Sequence, residues 1–259
     1  MIATDASRPP LLHAESADGT LIGYRVHRAP NRDAALPPVL LVHGFASDAR
    51  ITWEGTGWVK ALTDAGREVV TVDLRGHGES DKPIGAADYA PVRLGADLAA
   101  VLDSAGVPVA DAIGYSMGCR VVSALAAIAP ERLRRVVLGG AGPNELFASW
   151  AIAEVRELLV EDRPTENRVI EQVLRPAIDA GADREALLAV VEGVSGAPLG
   201  IPGTIPALFV AGELDPVPAG VQQLALDWGV DLVSVPGRDH VSTLTSRVFK
   251  DAAIGFLRD

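Results

Sequence analysis

A serine between two glycines stands where an apolar strand pattern gives way to an apolar helix pattern. Residues 114–118 read GYSMG, and they end a strand predicted over residues 111–115. In a nucleophile elbow of the G-x-S-x-G type, small neighbours let the backbone bend sharply enough to expose the serine hydroxyl. A tight turn that only needs small residues is the alternative, because the same pattern occurs by chance in glycine-rich loops. The partners of Ser116 must therefore decide between the two interpretations.

A serine hydroxyl is a weak nucleophile until a neighbouring base takes its proton. An elbow serine predicts an acid and then a histidine further along the chain. Four of the five histidines, His13, His27, His43 and His77, precede the serine. His240 alone follows it, in a loop after a strand predicted over residues 232–235, and it is the predicted base.

The acid is expected in a loop at the end of a strand between the serine and the histidine. Asp215 follows the apolar run 207–211 and is the predicted choice. Its carboxylate would accept a hydrogen bond from one ring nitrogen and leave the other for the serine. Glu213 is the rival in the same loop, while Asp239 is too close in sequence to His240 to orient it well.

Negative charge on an attacked carbonyl oxygen needs fixed hydrogen-bond donors. In this architecture they are the backbone amide after the nucleophile and an amide in a loop after an early strand. The two predicted donors are the N–H groups of Met117 and Phe45, the latter in the turn 43–45 that follows the apolar run 39–42. His43 is then predicted to organise this loop.

The wider pattern must place these loops at one edge of a sheet. An Asp18-Gly19 turn between the runs 11–15 and 20–27 indicates a β-hairpin. Further strands are predicted over residues 39–42, 69–72, 111–115, 136–138, 207–211 and 232–235, with helices over residues 58–65 and 92–105. Strands that alternate with helices predict an α/β fold with a mostly parallel sheet, whose ligands bind at the carboxyl ends of the strands.

The alternation lapses between residues 143 and 200. Helical patterns cover residues 146–160, 166–180 and 184–194, with no strand signal among them. We therefore predict an α/β core formed by residues 1–142 and 201–259, and a small helical cap formed by residues 143–200. Trp150, on the first predicted cap helix, is a candidate pocket residue.

Composition narrows the classes of function. The 259 residues suit one α/β domain with an insertion, and the formal charge of −11 disfavours nucleic acid as a partner. An early acid and two prolines near the N-terminus argue against a secretory signal, and no apolar run is long enough for a membrane span. These features predict a cytoplasmic protein. The single cysteine, Cys119, excludes an internal disulfide and is predicted to be a small buried thiol.

Five sequence features in this order resemble the α/β-hydrolase superfamily. They are the GYSMG elbow, the HGF turn at 43–45, the DLRGHGES segment at 73–80, the acid loop 212–215 and the Asp239-His240 pair. The chain is most similar to small esterases and lactonases, bacterial non-haem haloperoxidases and carbon–carbon bond hydrolases. The resemblance implies an eight-stranded sheet with a lid and a reaction through an acyl-enzyme. Cys119 departs from it, since many relatives have a second glycine there, while segment 73–80 is predicted to be structural.

The first hypothesis is a serine hydrolase that cleaves an ester or lactone of a small, largely apolar substrate and needs no cofactor. A second is carbon–carbon cleavage of a vinylogous diketone, for which Arg120, Arg156, Arg168 or Arg175 could bind a carboxylate. A third is a ligand receptor built on the same scaffold. Epoxide hydrolases and haloalkane dehalogenases use an aspartate at the elbow, so Ser116 disfavours both. Acyl specificity and oligomeric state leave no readable signal.

Overall fold

The computed structural model describes residues 8–259, and its centre is an eight-stranded sheet. The N-terminal residues used for the prediction of localisation lie mostly outside this range. The strand order is β1-β2-β4-β3-β5-β6-β7-β8, in which β2 pairs antiparallel with β1 and β4 and all the other pairs are parallel. The strands are β1 (Leu12–Glu15), β2 (Leu21–His27), β3 (Val39–Val42), β4 (Val69–Val72), β5 (Ala110–Tyr115), β6 (Leu133–Gly139), β7 (Ala207–Gly212) and β8 (Asp231–Val235).

Helices cover both faces of the sheet. They are α1 (Trp58–Asp64), α2 (Pro91–Ser104), α3 (Met117–Ile128), α4 (Ile152–Leu159), α5 (Arg168–Asp179), α6 (Arg184–Val194), α7 (Val221–Trp228), α8 (His240–Thr243) and α9 (Arg247–Arg258). Short helical turns lie at Arg50–Glu54, Ala86–Tyr89, Pro130–Arg132 and Phe147–Ser149. Within residues 8–259, no helix is both long enough and apolar enough to cross a bilayer.

Side chains that alternate along the central strands divide the core into two layers. In β3, Leu40 and Val42 pack on the face covered by α2 and α3, while Val39 and Leu41 pack on the face covered by α1 and α9. All four residues of this strand are fully buried. A continuous apolar run is what a strand with both faces covered requires, so the sequence pattern has its direct cause here.

All eight predicted strands are confirmed, with ends that differ by at most three residues. The largest difference is in β6, which spans Leu133–Gly139 where the apolar pattern indicates residues 136–138. Arg134 and Arg135 conceal the start of this strand in the hydropathy pattern. Arg134 nevertheless belongs there, because its guanidinium donates to the buried carboxylate of Asp111 at 2.7 Å. The three C-terminal helices, α7 to α9, are not among the predicted elements.

Residues 143–200 contain three α-helices and no strand. The helix predicted over residues 146–160 is divided, because Phe147–Ser149 forms a short turn and α4 begins only at Ile152. Trp150 lies between the two in extended conformation. The carboxylate of Glu145 accepts the N–H groups of Phe147 and Ala148 at 2.8 and 2.9 Å, and it therefore starts the short turn separately from α4. We refer to residues 143–200 as the 143–200 segment.

Candidate active site

The predicted catalytic residues and oxyanion donors follow the carboxyl ends of four strands, β3, β5, β7 and β8. The segments after β3, β5, β6, β7 and β8 meet at the same edge of the sheet, as the carboxyl ends of parallel strands must. We refer to residues 43–46, which follow β3, as the β3 loop. Ser116 follows β5 directly, Asp215 follows β7 and His240 follows β8.

Ser116 occupies a strained turn between β5 and α3. Its φ of 54° and ψ of −121° lie in a region that residues with a Cβ rarely adopt. The backbone N–H of Ser116 donates to Gly139 O of β6 at 2.8 Å, which holds the turn against the sheet. The strained turn is the geometry that the elbow motif predicts for an exposed hydroxyl.

The two glycines of the motif are required by packing. A Cβ on Gly118 would collide with Val42 O in β3, and one on Gly114 would lie 2.8 Å from Cys119 Cα. Helix α3 can therefore approach the sheet closely only with glycine at both positions. Cys119 itself is buried, and its burial raises the pKa of the thiol to about 12. The thiol stays protonated and is not a competing nucleophile.

Asp215 and His240 are joined by a hydrogen bond. His240 Nδ1–H donates to Asp215 Oδ2 at 2.8 Å. The side chain of Asp215 is fully buried, while that of His240 is 28% exposed. The other oxygen of Asp215 accepts the N–H of Val217 at 2.9 Å, so the carboxylate is fixed from its own loop. This arrangement fixes the histidine tautomer and directs Nε2 away from the acid.

The two rival carboxylates are engaged elsewhere. Glu213 Oε2 accepts the N–H of Gly237 at 2.8 Å and so ties the β7 loop to the β8 loop. Asp239 caps α8, because its Oδ1 accepts the N–H of Ser242 at 2.8 Å. Both acids therefore shape the loop that carries His240.

Ser116 and His240 border the same cavity. No hydrogen bond joins Ser116 Oγ to the imidazole within residues 8–259, and Nε2 of His240 has no protein partner there. In hydrolytic sites the bond between nucleophile and base commonly tightens when substrate binds. Tyr115, the last residue of β5, contacts His240 in two ways. Its hydroxyl donates to His240 O at 2.5 Å, and the centroids of the two rings lie 5.2 Å apart.

The β3 loop packs directly against the elbow. A Cβ on Gly44 would lie 3.2 Å from Ser116 Cβ. His43 begins this loop, and its side chain is fully buried. Its Nδ1–H donates to Gly44 O at 2.7 Å, and its Nε2 accepts the N–H of Leu74 at 3.0 Å. Burial lowers the pKa of His43, which favours the neutral ring that accepts at Nε2. His43 therefore fixes the loop to Leu74 and does not border the cavity.

The two predicted oxyanion donors lie on this cavity. Phe45 N–H has no acceptor among the described residues. Met117 is the first residue of α3, so its N–H has no partner inside the helix. Both residues border the cavity beside Ser116.

Segment 73–80 forms a scaffold behind the site. Asp73 Oδ1 accepts the N–H of Ala49 at 2.8 Å and Oδ2 accepts the N–H of Glu79 at 2.9 Å. The Ser80 hydroxyl donates to Asp73 O at 2.5 Å. None of these side chains borders the cavity. The segment thus connects the start of the turn Arg50–Glu54 to the end of β4.

The cavity has a volume of about 440 Å³ and its wall is mainly apolar. Side chains on this wall include Phe45, Met117, Leu146, Phe147, Val217 and Leu244. Trp150, the predicted pocket residue, does not border the cavity. It packs behind Phe45 and Phe147, with ring centroids at 6.3 and 5.1 Å, because the chain turns away from the cavity between Phe147–Ser149 and α4.

Several wall residues leave no signal in the sequence. Gln172, Val173 and Pro176 of α5 border the cavity, as do Ile51 and Thr52 of the turn Arg50–Glu54. The amphipathic pattern of α5 indicates which of its residues face the core. It does not indicate that they border the same cavity as Ser116, which lies more than fifty residues earlier in the chain. Among the missed residues, Phe147 could be suspected as an apolar side chain at the start of the 143–200 segment.

Comparison with known proteins identifies the family. Residues 37–165 match the family model described as the alpha/beta hydrolase fold. The chain belongs to the α/β-hydrolase superfamily. The family's fold, an eight-stranded and mostly parallel sheet with helices on both faces, is the one this chain adopts.

Members of this α/β-hydrolase superfamily with several activities are similar to the chain. A provisionally named 2-succinyl-6-hydroxy-2,4-cyclohexadiene-1-carboxylate synthase of Bacillus subtilis (strain 168) is 30% identical over 158 residues, which are 61% of this chain and 53% of that protein. An epoxide hydrolase of Caballeronia sordidicola is 28% identical over 143 residues, 55% of this chain and 41% of that protein. An enol-lactonase from Burkholderia xenovorans LB400 superimposes with a TM-score of 0.76 and 26% identity, covering 96% of this chain and 100% of that one.

The matches to the two curated relatives span about half of their length or less. Together with the enol-lactonase, they support the membership of this chain in the α/β-hydrolase superfamily. They differ among themselves in the bond that is cleaved or formed, so the reaction of this chain has to be argued from its own site.

Proposed function

We propose that the protein is a serine hydrolase that cleaves an ester or lactone of a small, largely apolar substrate through an acyl-enzyme. In this proposal Ser116 is the nucleophile, His240 the base and Asp215 the residue that orients the base. The N–H groups of Phe45 and Met117 form the oxyanion hole. The 143–200 segment acts as the cap.

The observation that carries this proposal is the hydrogen bond of 2.8 Å between Asp215 and His240 beside a strained Ser116 on the same cavity. A strained turn costs about 1 to 3 kcal/mol and persists where the surrounding structure imposes it. A turn that only needed small residues does not require a serine with a φ of 54° on the same cavity as an oriented imidazole. The geometry therefore favours the catalytic interpretation of the motif.

The chemistry follows from these positions. Ser116 Oγ attacks the acyl carbon while His240 Nε2 takes the hydroxyl proton, and the carbonyl oxygen becomes an oxyanion held by the two backbone N–H groups. The C–O bond of the ester then breaks, and the imidazolium gives its proton to the leaving alkoxide. Water, deprotonated by the same imidazole, attacks the acyl-enzyme and releases the acid and Ser116. None of these steps calls for a cofactor.

The cavity supports a small, largely apolar substrate. A volume of about 440 Å³ suits a molecule of modest size, and the rings of Phe45 and Phe147, which lie 4.7 Å apart, offer an apolar wall next to Ser116. Relatives of this family act on small molecules, which is consistent with a buried site of this size.

Carbon–carbon cleavage has weaker support. Arg120 is the arginine that borders the described cavity, and its guanidinium donates to Ala197 O at 2.6 Å and Gly142 O at 3.0 Å. Because both terminal nitrogens of the guanidinium already donate to backbone carbonyls, Arg120 is poorly placed to bind a substrate carboxylate in a bidentate manner. Ser116 likewise disfavours the epoxide hydrolase reaction, for which the elbow would carry an aspartate.

The test compares hydrolysis of p-nitrophenyl acetate and p-nitrophenyl butyrate by the wild type and by Ser116→Ala. We expect kcat/KM to fall about a thousandfold or more, because the acyl-enzyme cannot form. Ser104→Ala is the matched control, since this serine, the last residue of α2, bonds Tyr24 of β2, does not border the cavity and should keep full activity when replaced. An aliphatic enol-lactone assayed by acid release separates lactonase from esterase activity.

Equal rates for wild type and Ser116→Ala would refute the assignment. Labelling of Ser116 by a fluorophosphonate without turnover of any ester would favour the receptor interpretation. Rapid loss of colour from a ring-cleavage product would favour carbon–carbon cleavage.

A further inference from the structure

The β3 loop contains a strained residue that needs an external partner. Ala46 has a φ of 56°, in the left-handed region that alanine rarely adopts. Its N–H donates to Nε2 of His77 at 3.2 Å. The peptide plane next to Phe45 is therefore fixed by an imidazole that comes from a different loop.

His77 is in turn fixed from behind. Its Nδ1–H donates to Arg75 O at 3.1 Å, which leaves Nε2 as the acceptor for the loop. The side chain of Arg75 is fully buried and its guanidinium donates to Asp97 at 2.6 Å. Arg75 is therefore fixed by a buried ion pair through its side chain, and its backbone carbonyl fixes His77, which bonds the β3 loop.

The ring of His77 also packs among aromatic side chains. Its centroid lies 5.3 Å from that of His43 and 5.9 Å from that of Phe45, both edge to face. Only 4% of His77 is exposed. Burial, with the neighbouring His43 as a second cause, lowers the pKa of His77 to about 3, so Nε2 is unprotonated and able to accept at neutral pH.

We infer that His77 is a positioning residue for the oxyanion hole, which holds the Phe45 N–H toward the acyl oxygen through its bond to Ala46. This inference rests on the proposed function. The loop lies against Ser116, where a Cβ on Gly44 would be 3.2 Å from Ser116 Cβ. A small rotation of the loop would therefore move the Phe45 donor relative to the nucleophile. Because the donor acts on charge that develops only in the transition state, its misplacement lowers kcat and leaves KM nearly unchanged.

The experiment compares His77→Phe with His77→Gln. Phenylalanine keeps the ring packing and removes the acceptor, while the glutamine amide oxygen can occupy the place of Nε2. We expect His77→Phe to lower kcat for p-nitrophenyl acetate about tenfold to a hundredfold with KM within about threefold, below the loss from deleting a donor. We expect His77→Gln to recover most of this loss.

His27→Phe is the matched control. His27 is also a buried histidine, and its Nε2 bonds Thr71 at 3.0 Å at the end of β2, close to the opposite edge of the sheet. Its loss should lower the melting temperature as His77→Phe does and leave kcat within about twofold. A kcat that falls as far in His27→Phe as in His77→Phe would assign the effect to general destabilisation and overturn the inference.

Amide hydrogen exchange at Ala46 supplies a measurement that does not depend on activity. We expect faster exchange in His77→Phe and near wild-type exchange in His77→Gln. Unchanged exchange in His77→Phe, or equal kcat in the wild type and this variant, would overturn the role of His77. A wild type that hydrolyses no ester would refute the proposed function instead, and exchange at Ala46 would still decide what His77 does. If His77→Phe does not fold, His77→Asn, whose oxygen is too short to reach Ala46, takes its place.

Discussion

The β3 loop and the 143–200 segment border the same cavity, but they are held in different ways. The loop bonds the segment after β4 at two places, because the ring of its own His43 accepts the N–H of Leu74 and the N–H of Ala46 donates to His77. His77 in turn donates to Arg75 O, and the side chain of Arg75 forms a buried pair with Asp97. Both Leu74 and His77 lie in the segment that follows β4. The loop therefore has few ways to move unless the sheet itself is disturbed.

The 143–200 segment is tied to α3 mainly near its two ends. Arg120 donates to Gly142 O and Ala197 O, and Ser123 Oγ accepts the N–H of Gly200 at 3.2 Å. Glu145 links the two ends to each other by accepting the N–H of Gly196 at 3.2 Å. Helix α5, which supplies part of the wall, has an exposed Val169 at one end and a proline, Pro176, in its interior.

The contrast separates two properties of the site. The proposed chemistry lies beside the β3 loop, which the sheet fixes. The shape of the cavity wall depends on the 143–200 segment, which is anchored near its two ends; we refer to these anchoring contacts of Arg120, Ser123 and Glu145 as the roots of the segment. We expect substitutions beside the β3 loop to affect every substrate equally. Substitutions at the roots should affect large substrates more than small ones.

Asp215→Asn should have the largest effect. The asparagine keeps the shape but cannot stabilise the imidazolium and favours the wrong tautomer of His240, so kcat should fall about ten-thousandfold. Steady-state kinetics on p-nitrophenyl acetate and butyrate measure this loss, and the factor should be the same for both esters. Glu213→Gln, in the same loop, is the control and should keep kcat within a fewfold. A loss confined to one ester would contradict the fixed side of the comparison.

The sequence predicts the residues that follow the strands, but it does not predict the part of the cavity wall that the 143–200 segment supplies. Ser116, Asp215 and His240 could be predicted because each follows an apolar strand run, and parallel strands bring their carboxyl ends to one edge. The role of His43 behind the loop could be predicted from its place directly after β3.

The wall could not be predicted, because it depends on how the 143–200 segment folds over that edge. Trp150 was expected on the cavity from its place in a helical pattern, but Glu145 begins a separate turn and the indole points behind Phe147. The bond between His77 and Ala46 joins loops that are 31 residues apart, and no spacing rule connects them.

Arg120→Met tests the roots of the 143–200 segment. Loss of the guanidinium leaves Gly142 O and Ala197 O without their partner, which costs about 1 to 3 kcal/mol of the free energy of unfolding. Because the segment is loosened and the elbow is not, kcat/KM should fall severalfold more for butyrate than for acetate. Urea unfolding and the ratio of the two rates measure these effects.

Arg163→Met is the control for this prediction. Arg163 lies in the same segment and, among residues 8–259, forms its ion pairs with the solvent-accessible Glu157 and Glu161. Arg163→Met should change neither the free energy of unfolding nor the ratio of kcat/KM for butyrate to that for acetate. A uniform loss on both esters in Arg120→Met would show that the root also supports the chemistry, and would remove the distinction between the two sides.

The smallest effect concerns acid and involves three buried histidines. Burial lowers the pKa values of His27, His43 and His77, that of His77 to about 3. The unfolded chain binds a proton at each near pH 6.5 and the folded chain does not, so their contribution to stability is present above about pH 6.5 and is lost as the pH falls toward 3. For His77, this loss should amount to about 1.4 kcal/mol of the free energy of unfolding between pH 7.5 and 5.5. Urea unfolding at these two values should therefore show a steeper acid loss for the wild type than for His77→Phe, by about that amount. An identical loss in the two proteins would mean that His77 takes up a proton in the folded state, and that the bond to Ala46 does not hold it neutral.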